Sequence, residues 1–160
     1  MENELTEYAG FWLRFVAYII DSIIISFIEF LVVLPLLGLL GYNVDIVSTI
    51  SEIQEADAEF LIPVVASAIA GLGLTVLLIT WFYYALMQSG PRQATIGKMT
   101  LNLKVTDLSG DRITFAAASL RYFSKILSSL FMMIGYIMAG FTPKKQALHD
   151  YIANTYVVRK

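Results

Sequence analysis

The sequence contains no cysteine, few charged residues and a single histidine. Without cysteine the chain forms no disulfide, binds no metal through thiolates and has no cysteine nucleophile. Asp, Glu, Lys and Arg make up 15% of its 160 residues, whereas about a quarter is typical of soluble domains. The net charge of −2 gives no sign of the basic surface that nucleic-acid binding needs. We therefore expect no nucleic-acid partner, no metal and no other cofactor.

Hydrophobic residues make up 58% of the chain and are concentrated in blocks. The blocks at 11–41 and 60–88 are each long enough for a helix that crosses a bilayer, which takes about 20 residues. The second block has no charged residue, whereas the first contains Arg14, Asp21 and Glu29. The sequence therefore predicts a multi-pass protein of the cell (cytoplasmic) membrane, with the lipid bilayer as a partner.

The polar segments predict how the chain is oriented in the membrane. The loop at 42–59 has no Lys or Arg, whereas the region 89–125 has six and the segment 142–160 has four. Positively charged segments next to membrane helices stay on the cytoplasmic side. We therefore expect an outer loop at 42–59, and both termini in the cytoplasm.

A third, shorter apolar block lies within a helical segment predicted at 116–141. Its uncharged run, 126–141, is about 24 Å long as a helix, which is short for a hydrocarbon core of about 30 Å. A full third crossing would also put the positive charges of 142–160 outside. We therefore expect a third membrane helix that is re-entrant or broken near Gly135.

The polar region also predicts a small cytoplasmic β element. Apolar and polar residues alternate from Thr100 to Asp107, which is typical of a half-exposed strand. A turn at 109–111 and a second short strand at 112–115 complete a predicted hairpin within 89–115. A third strand is predicted at 155–158, in the tail 142–160, and its expected partner is 101–107. The predicted fold is a single all-α membrane domain with this small β element.

Asp21 is the most informative residue of the chain. It lies about 15 Å along the first helix, near the middle of the bilayer, where an aspartate costs about 3 kcal/mol unless it is paired, protonated or in a wet cavity. Arg14, Tyr18, Ser22 and Glu29 lie on the same side of the helix. Two interpretations stay open: the stripe packs against other helices and Asp21 pairs with a cation there, or it forms a proton or cation site.

The remaining candidates for chemistry are weaker. His149 precedes Asp150, and this pair is either a hydrogen-bonded anchor for the tail or a proton relay. Gly97 and Lys98 are similar to the end of a phosphate-binding loop, but positions 92 and 99 are Arg and Met, where that motif needs Gly and Ser or Thr. The sequence contains no Ser–His–Asp order, zinc-ligand set or paired catalytic carboxylates, so we do not expect an enzyme.

With these residues in view, the chain resembles the RDD family of small prokaryotic membrane proteins, named for one arginine and two aspartates. Three short motifs in the family's order carry the resemblance: Tyr8–Phe15 followed by Asp21-Ser22, Gln93–Lys98 followed by Val105 and Asp107, and Ala147–Asp150 followed by Thr155–Val158. The resemblance assigns Arg14 to the arginine, Asp21 to the first aspartate and Asp150 to the second. It covers nearly the whole chain, and Glu29 has no counterpart in it.

The resemblance implies either transport of an unidentified ligand or a role inside membrane protein complexes. The first hypothesis is a secondary transporter that exchanges a monovalent cation for protons at Asp21, with Arg14 and Asp150 tuning its pKa; so few helices require a homo-oligomer. The second is a non-catalytic adapter or regulator of a larger membrane protein partner, such as a membrane protease. In that case the arginine and the two aspartates hold the helices and the tail together.

Overall fold

The computed structural model describes residues 7–41, 58–130 and 134–160. The predicted outer loop at 42–59 lies almost entirely outside these residues. In chain order the described elements are α1 (Phe11–Gly41), α2 (Ala58–Ser89), α3 (Ile96–Thr100), β1 (Leu103–Asp107), α4 (Phe115–Leu130), α5 (Ile134–Ile137), a 3-10 turn (Met138–Gly140), α6 (Leu148–Ile152) and β2 (Thr155–Arg159).

The long helices α1 and α2 agree with the prediction of two membrane-spanning segments. Phe11–Gly38 within α1 and Val65–Ser89 within α2 have mean hydropathies of 2.3 and 2.0, and each is long enough to cross a bilayer. Large apolar side chains on these helices, such as Ile23 and Ile69, are exposed. Exposed apolar side chains are expected on helices that face lipid, where a helix satisfies its own backbone hydrogen bonds.

The chain divides into two units. The first unit comprises Met1–Ile24 and Trp81–Lys160, and the second unit comprises Ile25–Thr80. The second unit therefore contains most of α1 and α2, whereas the first contains the start of α1, the end of α2 and all the shorter elements.

In the first unit, β1 and β2 form a two-stranded antiparallel sheet. The register pairs Leu103 with Arg159 and Val105 with Val157, which confirms the predicted pairing of the C-terminal strand with 101–107. The N-terminal segment joins β2, because the Ala9 amide donates to the Val157 carbonyl at 2.8 Å. The sheet thus links the N-terminal, middle and C-terminal parts of the sequence.

The predicted hairpin is wrong in its second strand. Among the described residues, Arg112 forms an isolated bridge with Thr106, and α4 begins at Phe115. The Thr114 hydroxyl accepts a hydrogen bond from the Ala117 amide at 3.1 Å, which is how threonine caps the N-terminus of a helix. The start of α4 therefore uses Thr114 and Phe115, which were predicted to belong to the strand after the turn.

The third apolar segment folds back on itself. The Tyr136 hydroxyl donates to the Lys125 carbonyl at 3.2 Å, although a continuous helix would separate these residues by about 16 Å along its axis. A Cβ added to Gly135 would lie 2.8 Å from Ser128 Cβ, so α5 packs closely against α4. The segment 116–141 is therefore not one straight helix, whereas its depth in the membrane stays a prediction.

A small apolar core connects the sheet to the helices of the first unit. Its buried members are Ala9, Ala85, Leu103, Val105, Ile113, Ala118 and Val157. Three of the seven are alanines, so the strands and helices approach closely. This core fixes the ends of α2 and α4 beside the polar groups described next.

Candidate functional site

Asp21 is the centre of a hydrogen-bond network that joins α1 to the segment around α3. Its Oδ1 accepts hydrogen bonds from the Tyr83 hydroxyl at 2.8 Å and the Gly97 amide at 2.7 Å. Its Oδ2 accepts one from the Thr95 hydroxyl at 2.6 Å. The side chain is 1% exposed, and all three donors are neutral. Within the described residues, the Asp21 carboxylate is therefore held by hydrogen bonds and not by an ion pair.

Gly97 allows this network to form because α3 touches α1 there. A Cβ at position 97 would lie 2.1 Å from the Ala17 carbonyl oxygen and 2.9 Å from Asp21 Cγ. No side chain fits at those distances without a shift of the backbone. The glycine of the Gly97-Lys98 pair is thus explained by close approach to a helix and to a carboxylate of the same chain.

Asp150 is the centre of a second, charged network. Its Oδ1 accepts from Nε of Arg121 at 2.8 Å and from Nη2 of the same residue. Its Oδ2 accepts from Nη1 of Arg14 and from the Ala147 amide at 3.1 Å. A carboxylate has about four lone-pair positions, so these donors occupy all of them. The network ties α6 to both α1 and α4.

The two arginines of this network use their other donors within the chain as well. Arg14 donates to the carbonyls of Ala9 at 2.8 Å and Lys145 at 2.7 Å. Arg121 Nη1 donates to Oε1 of Gln88 at 2.5 Å. The arginines therefore connect α2 and the chain before α1 to the C-terminal segment.

Burial and charge act in opposite directions on the groups of α6. Burial opposes ionisation of Asp150, but the charges of Arg121 and Arg14 outweigh it and hold the pKa of the carboxyl well below its usual value. For His149, burial lowers the pKa well below its usual value and outweighs the attraction of Asp150. His149 Nε2 lies 3.5 Å from Asp150 Oδ1, yet because the imidazole is neutral this contact is not a salt bridge.

The predicted site residues separate into the two networks and three other positions. Arg14 contacts Asp150 and not Asp21, so the arginine and the first aspartate belong to different networks. Tyr18 is exposed. Glu29 belongs to the second unit, where it accepts a hydrogen bond from the Thr80 hydroxyl at 3.0 Å. The ring of His149 packs on Tyr136, and its buried Nδ1 has no hydrogen-bond partner among the described residues.

A cavity of about 270 Å³ lies beside both networks, inside the first unit. Four basic side chains line it: Arg14, Lys98, Arg121 and Lys125. Asp21, Tyr18 and His149 also line it, together with aromatic and aliphatic groups. The cavity thus joins most of the predicted site residues with three basic residues that were not predicted as site residues, Lys98, Arg121 and Lys125.

Arg121 and Lys125 were missed because the sequence carries little signal for them. Both precede the third apolar block and resemble the positive charges that flank a membrane helix. Arg121 is 2% exposed, and Ala118, Ser124 and Ser128 lie on the same buried face of α4. A basic residue three to seven positions from small residues is the pattern that indicates a buried cation there.

Comparison with known proteins finds similarity along most of the chain. The chain matches the RDD family over residues 8–154. It is 36% identical to "Uncharacterized protein YxaI" of Bacillus subtilis (strain 168) over 152 residues, which are 95% of this chain and 97% of that protein. It is 33% identical to "Uncharacterized membrane protein YteJ" of the same strain over 159 residues, which are 96% of this chain and 82% of that protein. No solved structure matches the chain significantly.

Proposed function

The chain belongs to the RDD family of membrane proteins, and we propose that it is a non-catalytic adapter or regulator of another membrane protein. One observation carries this proposal. The hydrogen bonds of Arg14, Asp21 and Asp150 link α1 to α3 and to α6, and four donors occupy the acceptor positions of Asp150. The residues that define the family thus act as internal ties that hold α1, α3, α4 and α6 together.

The hydrogen bonds that the two carboxylates already accept argue against a cation site. A cation carrier must offer oxygen atoms with free lone pairs, as Na⁺ and other hard cations require. Asp150 has none left, and Asp21 accepts from three donors. The cavity beside them is lined by four basic side chains, which lower the local concentration of cations.

The adapter role predicts that Asp21→Asn acts through the fold. The amide accepts fewer hydrogen bonds than the carboxylate and leaves a buried donor of Tyr83, Thr95 or Gly97 unpaired, at a cost of about 1–3 kcal/mol. We expect a lower thermal midpoint in detergent, and a lower amount of any larger complex on native gels of solubilised membranes. Asp111→Asn, on an exposed side chain, is the matched control and leaves both unchanged. If Asp21→Asn keeps both the midpoint and the complex, the adapter role is wrong.

A secondary transporter is the second candidate, because the cavity reaches Asp21. In this case the carboxylate exchanges its hydrogen-bond donors for a proton or a monovalent cation during each cycle, and several copies of the chain enclose the path. This role predicts an Asp21→Asn protein that folds normally and has lost ion movement. The two candidates therefore differ in what the same substitution does to stability.

For either role we propose that both termini and the sheet lie in the cytoplasm and that the segment 116–141 is re-entrant. The distribution of Lys and Arg supports this orientation. The absence of cysteine gives a clean background for single-cysteine labelling. Ser109→Cys should react with a membrane-impermeant maleimide only after the cells are opened, whereas Ser51→Cys should react in intact cells. The reverse pattern would contradict the orientation.

A further inference from the structure

The cavity in the first unit has basic groups without matching carboxylates. Arg14 and Arg121 are both bonded to Asp150. Asp21, which also lines the cavity, is bonded to neutral donors. Among the described residues, Lys98 and Lys125 therefore have no carboxylate partner.

Lys98 and Lys125 differ in how they are placed. Lys98 is 6% exposed and lines the cavity, and within the described part of the chain its Nζ makes no hydrogen bond or ion pair. Lys125 Nζ lies 4.0 Å from the centre of the Tyr84 ring, a cation–π contact that leaves its positive charge uncompensated. A buried charge without a partner is costly. An anion in the cavity would supply the missing partner to both ammonium groups.

The environment of the two lysines agrees with a missing anion. Burial, together with the charge of Arg121, lowers the pKa of Lys98 well below its usual value and lowers the pKa of Lys125 to about 7. A bound anion would raise the pKa of both lysines, since an opposite charge favours the protonated form. His149 adds a further unsatisfied group, because its buried Nδ1 faces no hydrogen-bond partner among the described residues and the residue lines the same cavity.

The other walls of the cavity are apolar and reach the surface. Phe11, Phe15 and Ile137 line it, and Phe15 and Ile137 are also 42% and 45% exposed. Phe15 and Ile137 thus form an apolar side of the cavity that borders the protein surface. Phe15 lies within the candidate membrane span Phe11–Gly38, so the entrance borders the lipid-facing part of the chain.

We propose that this cavity binds a phosphate-type anionic headgroup carried by an apolar chain, with Lys98 and Lys125 contacting the anion. A volume of about 270 Å³ is below the range of about 300–1,000 Å³ for drug-sized ligands, so the headgroup enters and the chain stays along the apolar wall. The proposal goes beyond the adapter role and does not depend on it, because it concerns the purified protein alone.

Binding is tested with the full-length protein in a neutral detergent. Phosphatidylglycerol, phosphatidylcholine with the same acyl chains, and inorganic phosphate are added separately. Retained lipid is measured by native mass spectrometry, and the thermal midpoint is measured in parallel. We expect phosphatidylglycerol to be retained and to raise the midpoint, whereas phosphatidylcholine does neither.

Variants locate the site. Lys98→Gln and Lys125→Gln should each weaken phosphatidylglycerol binding about tenfold or more, since each removes a charged hydrogen bond. Lys104→Gln, on β1 and outside the cavity lining, is the matched control and leaves binding unchanged. Lys98→Arg keeps the charge and should keep the binding. Glutamine is neutral and therefore introduces no buried charge, so the thermal midpoints of these variants without lipid should not fall.

The outcomes separate the possible sources of the anion. If inorganic phosphate alone raises the midpoint as much as phosphatidylglycerol and needs the same lysines, the anion site stands and its ligand is a soluble phosphate. Equal retention of phosphatidylglycerol and phosphatidylcholine overturns the proposal. Equal binding by wild type, Lys98→Gln and Lys125→Gln also overturns it.

The pH dependence gives a second readout. Without the anion, the pKa of Lys125 is about 7. Above that pH, Lys125 must therefore take up a proton from solvent when the anion binds. Affinity should therefore fall as the pH rises through 7, and Lys125→Gln should flatten this dependence. The charged and titratable groups facing Lys125 are Arg14, Tyr18 and Asp21 from α1, Tyr84 from α2, Lys98 from α3, Arg121 from its own helix, Tyr136 from α5, and His149 and Asp150 from α6. A binding constant that does not change between pH 6 and 9 contradicts the proposal.

Discussion

Asp21 and Asp150 are both buried carboxylates, and their surroundings differ. Asp150 faces two guanidinium groups, from Arg14 and Arg121, whereas Asp21 faces two hydroxyls and an amide. Removing one partner of a buried ion pair destabilises the folded protein by several kcal/mol. The two aspartates therefore perform the same task, holding distant segments together, by different physical means.

Gly97 should tolerate no side chain. In Gly97→Ala the new Cβ would lie 2.1 Å from the Ala17 carbonyl oxygen, so α3 must move away from Asp21. We expect a loss of about 1–3 kcal/mol of unfolding free energy, as in other overpacked sites. Gly73→Ala is the matched control, since a Cβ there meets nothing within 4 Å, and it should leave stability unchanged or slightly raised. Equal thermal midpoints for wild type and Gly97→Ala would show that α3 does not touch α1.

His149 should make stability depend on pH. Its pKa in the folded protein is well below the ordinary value of 6.5, so below pH 6.5 the unfolded chain binds a proton that the folded chain does not. Stability should therefore fall as the pH is lowered from 6.5, by at most about 1.4 kcal/mol per pH unit from this residue. His149→Gln should reduce this slope, measured as thermal midpoints between pH 5 and 7. An unchanged slope would mean that His149 is protonated in the folded protein.

The sequence identified the family residues but not their partners. Arg14, Asp21 and Asp150 stand in short local motifs, which a single sequence displays. Their partners are distant in sequence: Arg121 lies 29 positions from Asp150, and Thr95 lies 74 positions from Asp21. The approach of these segments depends on the folded sheet and core. The basic cavity likewise depends on the packing of the six helices α1 to α6, which bring its lining residues together.

At the scale of elements, the short C-terminal strand β2 completes the first unit. It pairs with β1 on one side, and it accepts the N-terminal segment through the bond from Ala9 to Val157. The strand follows α6 directly, so the sheet also positions Asp150. Both termini of the chain thereby contribute to one small structure around the family residues.

The fold-back of α5 on α4 can be tested with a pair of cysteines. Ser128→Cys with Gly135→Cys should form an intramolecular disulfide, because a Cβ at 135 lies 2.8 Å from Ser128 Cβ and only a small shift reaches bonding geometry. Ala117→Cys with Ser124→Cys has the same sequence spacing inside α4, where about 10 Å of helix separates the residues, and should stay reduced. Maleimide labelling after mild oxidation distinguishes the pairs. Labelling of both pairs would indicate a continuous helix.

Helices were predicted more accurately than strands, for a physical reason. The bounds of α1 and the length of α2 follow from long apolar runs, which lipid favours whatever their tertiary contacts. The strand predicted at 112–115 rested on four residues, and the cap at Thr114 decides their conformation. The pairing of β1 with β2 was predictable because β1 alternates, β2 is rich in residues that favour strands, and both lie on the same predicted side of the membrane.

At the scale of the whole molecule, the family signature belongs to one unit. Arg14, Asp21 and Asp150 all lie in the first unit, whereas the second unit, Ile25–Thr80, contains Glu29 and most of the two long helices. Both networks are complete within one chain, so the signature needs no second subunit for its hydrogen bonds. This completeness agrees with the proposal that these residues hold the fold together.

Ion movement in liposomes tests this account most directly. The purified protein is reconstituted with a pH gradient, its folding and orientation are verified, and internal pH is followed as Na⁺, Li⁺ or K⁺ is added. We predict no cation-dependent proton movement by the wild type, and a loss of thermal stability in Asp21→Asn. Cation-dependent proton movement by the wild type, abolished in an Asp21→Asn protein of unchanged stability, would contradict the account and make Asp21 a transport site.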